Sequence, residues 1–250
     1  LVEAARSYQQ RAWRKLLPAA AVLISIATVV NWPQHKAAGA AGYNNLANAY
    51  AKHGNLAEAI ESAEQALKVD PDYGVAHYNL GNLYMRQSNM ASAQRHFEAA
   101  LRLLPNYAEA HSNYGQLRAE QGDLEIGLEH FKKAVALNPA LSRAQLNLGV
   151  ALARQGQTSA AVEPLEAAAK LNPESVQASF YLGSVYAAAQ RYAEAEKYFN
   201  QTLRLDDSFA PAHESLARLL ATQGKKDQAL SHYQAALRLM HQGSSPVGGQ

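Results

Sequence analysis

A period of 34 residues runs through this chain without slipping, and it constrains the architecture before any local structure is considered. Asp70-Pro71, Leu104-Pro105, Asn138-Pro139 and Asn172-Pro173 recur at that spacing, and Asp206-Asp207 holds the fifth register without its proline. Within each unit a Leu or Tyr is followed by a small residue: Leu46-Ala47, Leu80-Gly81, Tyr114-Gly115, Leu148-Gly149, Leu182-Gly183 and Leu216-Ala217. Twelve positions after that small residue comes another: Ala59, Ala93, Gly127, Ala161, Ala195 and Ala229. A repeat of this length cannot bury an apolar face alone, so neighbouring units must supply its core.

The apolar spacing inside one unit specifies two helices. Ala76, Leu80, Leu83 and Tyr84 fall on one helical face, and Ala93, Phe97, Ala100 and Leu101 repeat the pattern after a break. Gly54, Gly122, Gly156 and Gly224 lie between the paired helices, where a left-handed residue ends a helix without Cβ strain. The periodic prolines end the second helix of a pair. The small residues let the paired helices approach closely. Pro164 breaks the pattern, because it lies inside a second helix and predicts a kink or local loosening there.

These residues resemble the tetratricopeptide repeat pattern Leu-Gly-x-x-Tyr, Ala-x-x-x-Phe-x-x-Ala and Pro. Six units fit it, at 40–73, 74–107, 108–141, 142–175, 176–209 and 210–243. The resemblance implies an all-α superhelix of helix-turn-helix repeats, an interaction fold that by itself names no chemistry.

Ahead of the repeats lies Leu16–Val30, an uncharged apolar run bracketed by Trp13 and Trp32. Residues 16–32 are expected to form a transmembrane helix or signal anchor, with residues 1–15 as a basic flank and 33–39 as a linker. Arg6, Arg11, Arg14 and Lys15 outweigh Lys36, so the positive-inside rule puts residue 1 in the cytosol and the repeats in a periplasm or lumen. The other expectations for the run are a cleaved or uncleaved signal segment and a helix packed on the repeats. Residues 244–250 are expected to be a disordered tail.

Composition narrows the chemistry. No cysteine is present, which excludes a disulfide scaffold, zinc knuckles, iron–sulfur clusters and a thiol nucleophile. The lack of a cysteine to lipidate also excludes the outer-membrane lipoproteins of pilus assembly from expectation. Of 23 Lys and Arg and 21 Asp and Glu, five bases and one acid fall within residues 1–36, which leaves 18 against 20 for the remainder. The repeats therefore lack the basic excess of a nucleic-acid binder. No HExxH, GxSxG, GxxxxGK[ST] or GxGxxG motif occurs, so no catalytic residue, metal or cofactor is implied. Of nine histidines, His77, His111 and His213 share one register and His96, His130 and His232 another, which reads as packing or surface placement with neighbours a whole unit apart. Asn200-Gln201-Thr202 is a glycosylation sequon, discounted because Thr202 occupies a core-type position.

The candidate site is a ladder of amides. Asn45, Asn79, Asn113 and Asn147 recur at the unit spacing, with Tyr181 and Ser215 in the next two units, and Asn48, Asn82 and Gln116 widen the strip one turn on. An amide both donates and accepts, which suits a peptide unit and reads no side chain. The ladder resembles the asparagine ladder of the O-linked N-acetylglucosamine transferase family, and that resemblance implies a concave groove gripping an extended peptide. The alternative is that these amides bond locally within the stack. A clamp for a free carboxylate needs Lys and Arg where Asn44, Asn48, Asn79, Glu109 and Asn113 stand here, and so is not expected.

The leading expectation is a membrane-tethered, non-enzymatic scaffold for a protein or peptide partner. The alternatives are the accessory C-terminal tail of a larger membrane glycosyltransferase and an assembly subunit of a membrane complex. Leu230, Tyr233, Leu237 and Met240 on the last helix are candidates for self-association.

Overall fold

The computed structural model describes residues 36–244. All regular structure among them is helical, in twelve helices that form six hairpins. Two compact units divide the chain, the first ending at Leu104 and the second beginning at Pro105. The first holds α1 (36–52), α2 (Leu56–Val69), α3 (Gly74–Arg86) and α4 (Met90–Leu103). The second holds α5 (Ala108–Glu120), α6 (Leu124–Leu137), α7 (Ser142–Arg154), α8 (Thr158–Leu171), α9 (Val176–Ala188), α10 (Tyr192–Leu205), α11 (Ala210–Thr222) and α12 (Lys226–Ser244). The helices α3, α5, α7, α9 and α11 begin on the first residues of the units read from the sequence.

Turn chemistry explains why the helices stop where they do. Gly54, Gly122, Gly156 and Gly224 have φ of 83°, 96°, 76° and 75°, as the hairpin turns require. The same left-handed turn in the second and fifth repeats is made by Ser88 (φ 58°) and Gln190 (φ 59°), where a side chain is strained. Between repeats, the carboxylate or amide preceding the proline closes the turn. Asp70, Asn138 and Asp206 accept from the backbone N–H two residues on. Asp206 also accepts from the Ser208 hydroxyl at 2.6 Å, so this turn holds without proline.

The hairpins close on small residues. An added Cβ on Gly81 of α3 would lie 2.6 Å from the Phe97 ring of α4. At Gly115 in α5 it would meet Phe131 at 2.8 Å and the Gly127 carbonyl at 2.9 Å. In the first unit the core gathers Ala47, Ala59, Ala63, Leu80 and Leu83. In the second, a continuous cluster runs from Leu128 and Phe131 through Leu165, Leu182 and Phe199 to Leu216 and Ala229.

Several expectations need correction. Residues 36–39 are not linker but the first turn of α1, and Ala40 behind them is fully buried. Helix α12 runs through Ser244, one residue into the expected tail, whose remainder lies outside the described residues. Single-pass membrane localisation is overturned: among the described residues no helix is long and apolar enough to cross a membrane. The run 16–32 itself, and the glycosyltransferase-tail alternative built on it, lie outside the described residues. Pro164 leaves α8 one uninterrupted helix, Thr158–Leu171. Its missing N–H would have bonded the carbonyl of Ala160, an exposed residue whose carbonyl can turn to water.

Candidate peptide-binding faces

Helices α1 and α3 carry the amides of the first unit. Asn45 and Asn48 are exposed on α1, while Asn79 and Asn82 are half-buried on α3. Asn79 donates from Nδ2 to the Oδ1 of Asn44 at 2.8 Å, and Asn44 is itself buried. The neighbouring repeat is therefore gripped by Asn44, one residue before the expected rung. That bond uses one N–H of Asn79 and leaves its amide oxygen and second N–H for a ligand among the described residues.

The second unit repeats this arrangement on α5, α7 and α9. Asn147 donates to the Ser112 hydroxyl at 3.4 Å, the same step back to the preceding repeat. Asn113 is 7% exposed, more deeply set than Asn79 or Asn147. Gln116 is half-buried and donates to Glu120 one turn on at 2.9 Å. Tyr181, half-buried on α9, meets Phe180 edge to face at 5.5 Å. Each unit thus carries four of the eight expected residues on its first helices. Local inter-repeat bonding accounts for part of the amide capacity of Asn79 and Asn147.

Two side-chain ties brace these faces. The Tyr84 hydroxyl donates to Glu64 at 2.9 Å, joining α3 to α2. In the second unit the Tyr186 hydroxyl donates to Glu166, joining α9 to α8. Burial and then the Glu166 contact push the Tyr186 phenol up to about 12, so it remains a donor. The Arg191 guanidinium lies 4.3 Å above the same ring.

Sequence reasoning missed the pairing of the histidines. They meet within a repeat, first helix to second, rather than standing a whole unit apart. No group of three or more His, Cys, Asp or Glu side chains suited to a metal ion occurs among the described residues. Thr202, the hydroxyl residue of the sequon, is fully buried and donates to the Tyr198 carbonyl, while Asn200 is half-buried.

With this geometry in view, the chain belongs to the tetratricopeptide repeat family, whose pattern matches residues 44–108, 78–142, 115–168, 146–210 and 192–243. Among solved structures it is similar to pilF of Pseudomonas aeruginosa, with TM-score 0.74, 23% identity, and coverage of 82% of this chain and 93% of that one. It is also similar to PilW, described as a widely conserved type IV pilus biogenesis factor, with TM-score 0.67, 26% identity, and coverage of 81% and 91%. A curated relative, anaphase-promoting complex subunit 6 of Arabidopsis thaliana, is 42% identical over 50 residues. The match spans 20% of this chain and 9% of that subunit.

Proposed function

We propose that this chain is a protein–protein interaction scaffold in which each unit binds an extended segment of a partner through the amides of its first helices. The carrying observation is the Asn79 side chain, held by Asn44 at 2.8 Å with an acceptor and a donor to spare. A fixed amide loses little freedom on binding, so its bonds to a peptide unit are worth more than those of a mobile one. Asn45, Asn48 and Asn82 complete the face in the first unit, and Asn113, Gln116, Asn147 and Tyr181 in the second. The likeness to PilW, a pilus biogenesis factor, and to the plant protein, a subunit of a complex, supports a protein partner.

The test is an immobilised library of extended peptides probed with the wild-type chain and with Asn45→Ala, Asn48→Ala and Asn79→Ala. At about 1 kcal/mol per lost amide bond, each substitution weakens a captured peptide about fivefold. Retained affinity in all three variants refutes the reading for the first unit.

Self-association is a second reading, favoured by the outer face of α12. Leu230, Leu237 and Met240 are 57%, 55% and 47% exposed there, while Tyr233 is half-buried. Sedimentation of the wild type against Leu237→Glu tests it: a concentration-dependent species lost in the variant supports the reading, and a single monomeric species in both removes it.

A further inference from the structure

Three of the six repeats hold a histidine on each helix of the hairpin, and the two rings meet through the same atom. Nδ1 faces Nδ1 at 3.0 Å in His77–His96, and at 2.8 Å in both His111–His130 and His213–His232. The first-helix ring is anchored at its far nitrogen: Nε2 lies 3.1 Å from the main-chain carbonyl of Pro71, Pro105 or Asp207. The slots also change together. Where the first is Tyr43, Gln145 or Ser179, the second is Ser62, Pro164 or Tyr198, so histidine occupies both positions or neither. Gln145 keeps the carbonyl contact, to Pro139 at 3.0 Å, without a histidine opposite it.

Proton bookkeeping fixes the tautomers. A carbonyl only accepts, so the first-helix Nε2 carries the proton and its Nδ1 is bare in the neutral ring. The facing Nδ1 must then be protonated and donate, which leaves the second-helix Nε2 bare. Ring geometry favours this bond over a shared metal ion. The centroids of His77 and His96 are 5.3 Å apart against 3.0 Å between the nitrogens, and those of His213 and His232 are 5.1 Å against 2.8 Å. The difference of 2.3 Å is two ring radii, so the nitrogens lie on the line joining the rings. Ligands of one ion would instead converge on a point about 2.0–2.1 Å from each.

We propose that the three histidine pairs are proton-sharing clasps that hold α3 to α4, α5 to α6 and α11 to α12, and that acid releases them. One added proton fits on the bare second-helix Nε2. A second would set two N–H groups face to face between two cations, so it enters only when the clasp opens. Opening therefore takes up as many as two protons from solvent per pair.

Burial and the neighbouring basic groups disfavour the charged rings, against opposition from Glu64 and the Pro105 carbonyl. Burial, then His77 and Arg95, hold the His96 imidazolium down to about 4, against an opposing pull from Glu64 on α2. Tyr84 stacks on the same ring, with centroids 5.4 Å apart. Burial, then His111, Lys133 and Arg118, hold His130 down to about 4, and the edge of Tyr114 meets it at 4.7 Å. Burial lowers His111 too, with Lys133 adding to it and the Pro105 carbonyl opposing. His232 is lowered by burial and then by His213. The clasps sit on helices that carry Asn79 and Asn113 but do not depend on what those amides bind.

Two measurements on the full chain test this, both with a chelator present. In nitrogen-15 histidine spectra near neutral pH, each pair should show one ring protonated at Nε2 and the other at Nδ1. Two Nε2–H rings in every pair would overturn the proposal. The urea midpoint should fall between about pH 7.5 and about pH 5, and the fall should shrink stepwise as His77→Gln/His96→Phe and its counterparts in the other two repeats are combined. An undiminished fall in folded variants overturns the proposal, as does a midpoint that rises when zinc replaces the chelator and is then set by the metal rather than by pH.

Discussion

Gly81→Ala adds a single methyl group to a buried helix crossing, and its effect can be worked out from the structure. The new Cβ would lie 2.6, 2.7 and 3.0 Å from three atoms of the Phe97 ring, which is fully buried and has nowhere to retreat. Overpacking of this kind costs about 1–3 kcal/mol, against which alanine gains about 1 kcal/mol over glycine in a helix. The net expectation is a destabilisation of up to about 2 kcal/mol. Gly42 is the internal control: it is exposed on α1, and nothing lies within 4 Å of an added Cβ, so Gly42→Ala should stabilise by up to about 1 kcal/mol. The first repeat shows how the clash is relieved, because Ala47 stands at the glycine position where Ala63 replaces the ring. In Gly81→Ala/Phe97→Ala the alanine at position 81 should cost nothing further, giving a coupling of at least about 1 kcal/mol. Urea unfolding followed by circular dichroism, with all variants at one pH, measures these differences. A shift of the midpoint in the same direction by Gly81→Ala and Gly42→Ala, or additivity in the double variant, would refute a steric clash at the α3–α4 crossing.

Replacing the strained left-handed residues, Ser88→Gly and Gln190→Gly, should stabilise by about 0.5–1 kcal/mol each in the same assay. Pro164→Ala restores the helical N–H of α8 and should raise stability by about 1–2 kcal/mol, part of the gain being offset by the lost buried ring; a lower midpoint would show that the ring matters more than the bond. For His96 and His130 the folded chain stays neutral below pH 6.5 while the unfolded chain is protonated, so unfolding takes up protons and stability falls as pH drops from about 6.5 towards about 4. Solvent screening of these half-buried rings limits this to about 1 kcal/mol each, and a flat stability profile over that window would contradict it.

The helix pairs could be read from the sequence because each boundary is a local event. A glycine or a proline fixes the backbone where it stands, and the period carried that information to every repeat. Ser88 and Gln190 escaped notice because their conformation is imposed by the turn rather than preferred by the residue. The amide ladder was half legible. Spacing put Asn79 on the right helix, but one residue turns a side chain by about 100° on a helix, and that decides whether Asn44 or Asn45 meets it. The histidines were misread for a geometric reason. A period search compares equal registers 34 residues apart, whereas the contact joins unequal registers 19 apart across the hairpin.

Whether these units grip a main chain through their amides, as proposed, is measured most directly by the affinity of a captured peptide against its backbone N-methylated counterpart. Loss of binding on N-methylation, with tolerance of side-chain exchange, is the predicted result. Undiminished binding of the N-methylated peptide, with affinity set by its side chains, would contradict the account.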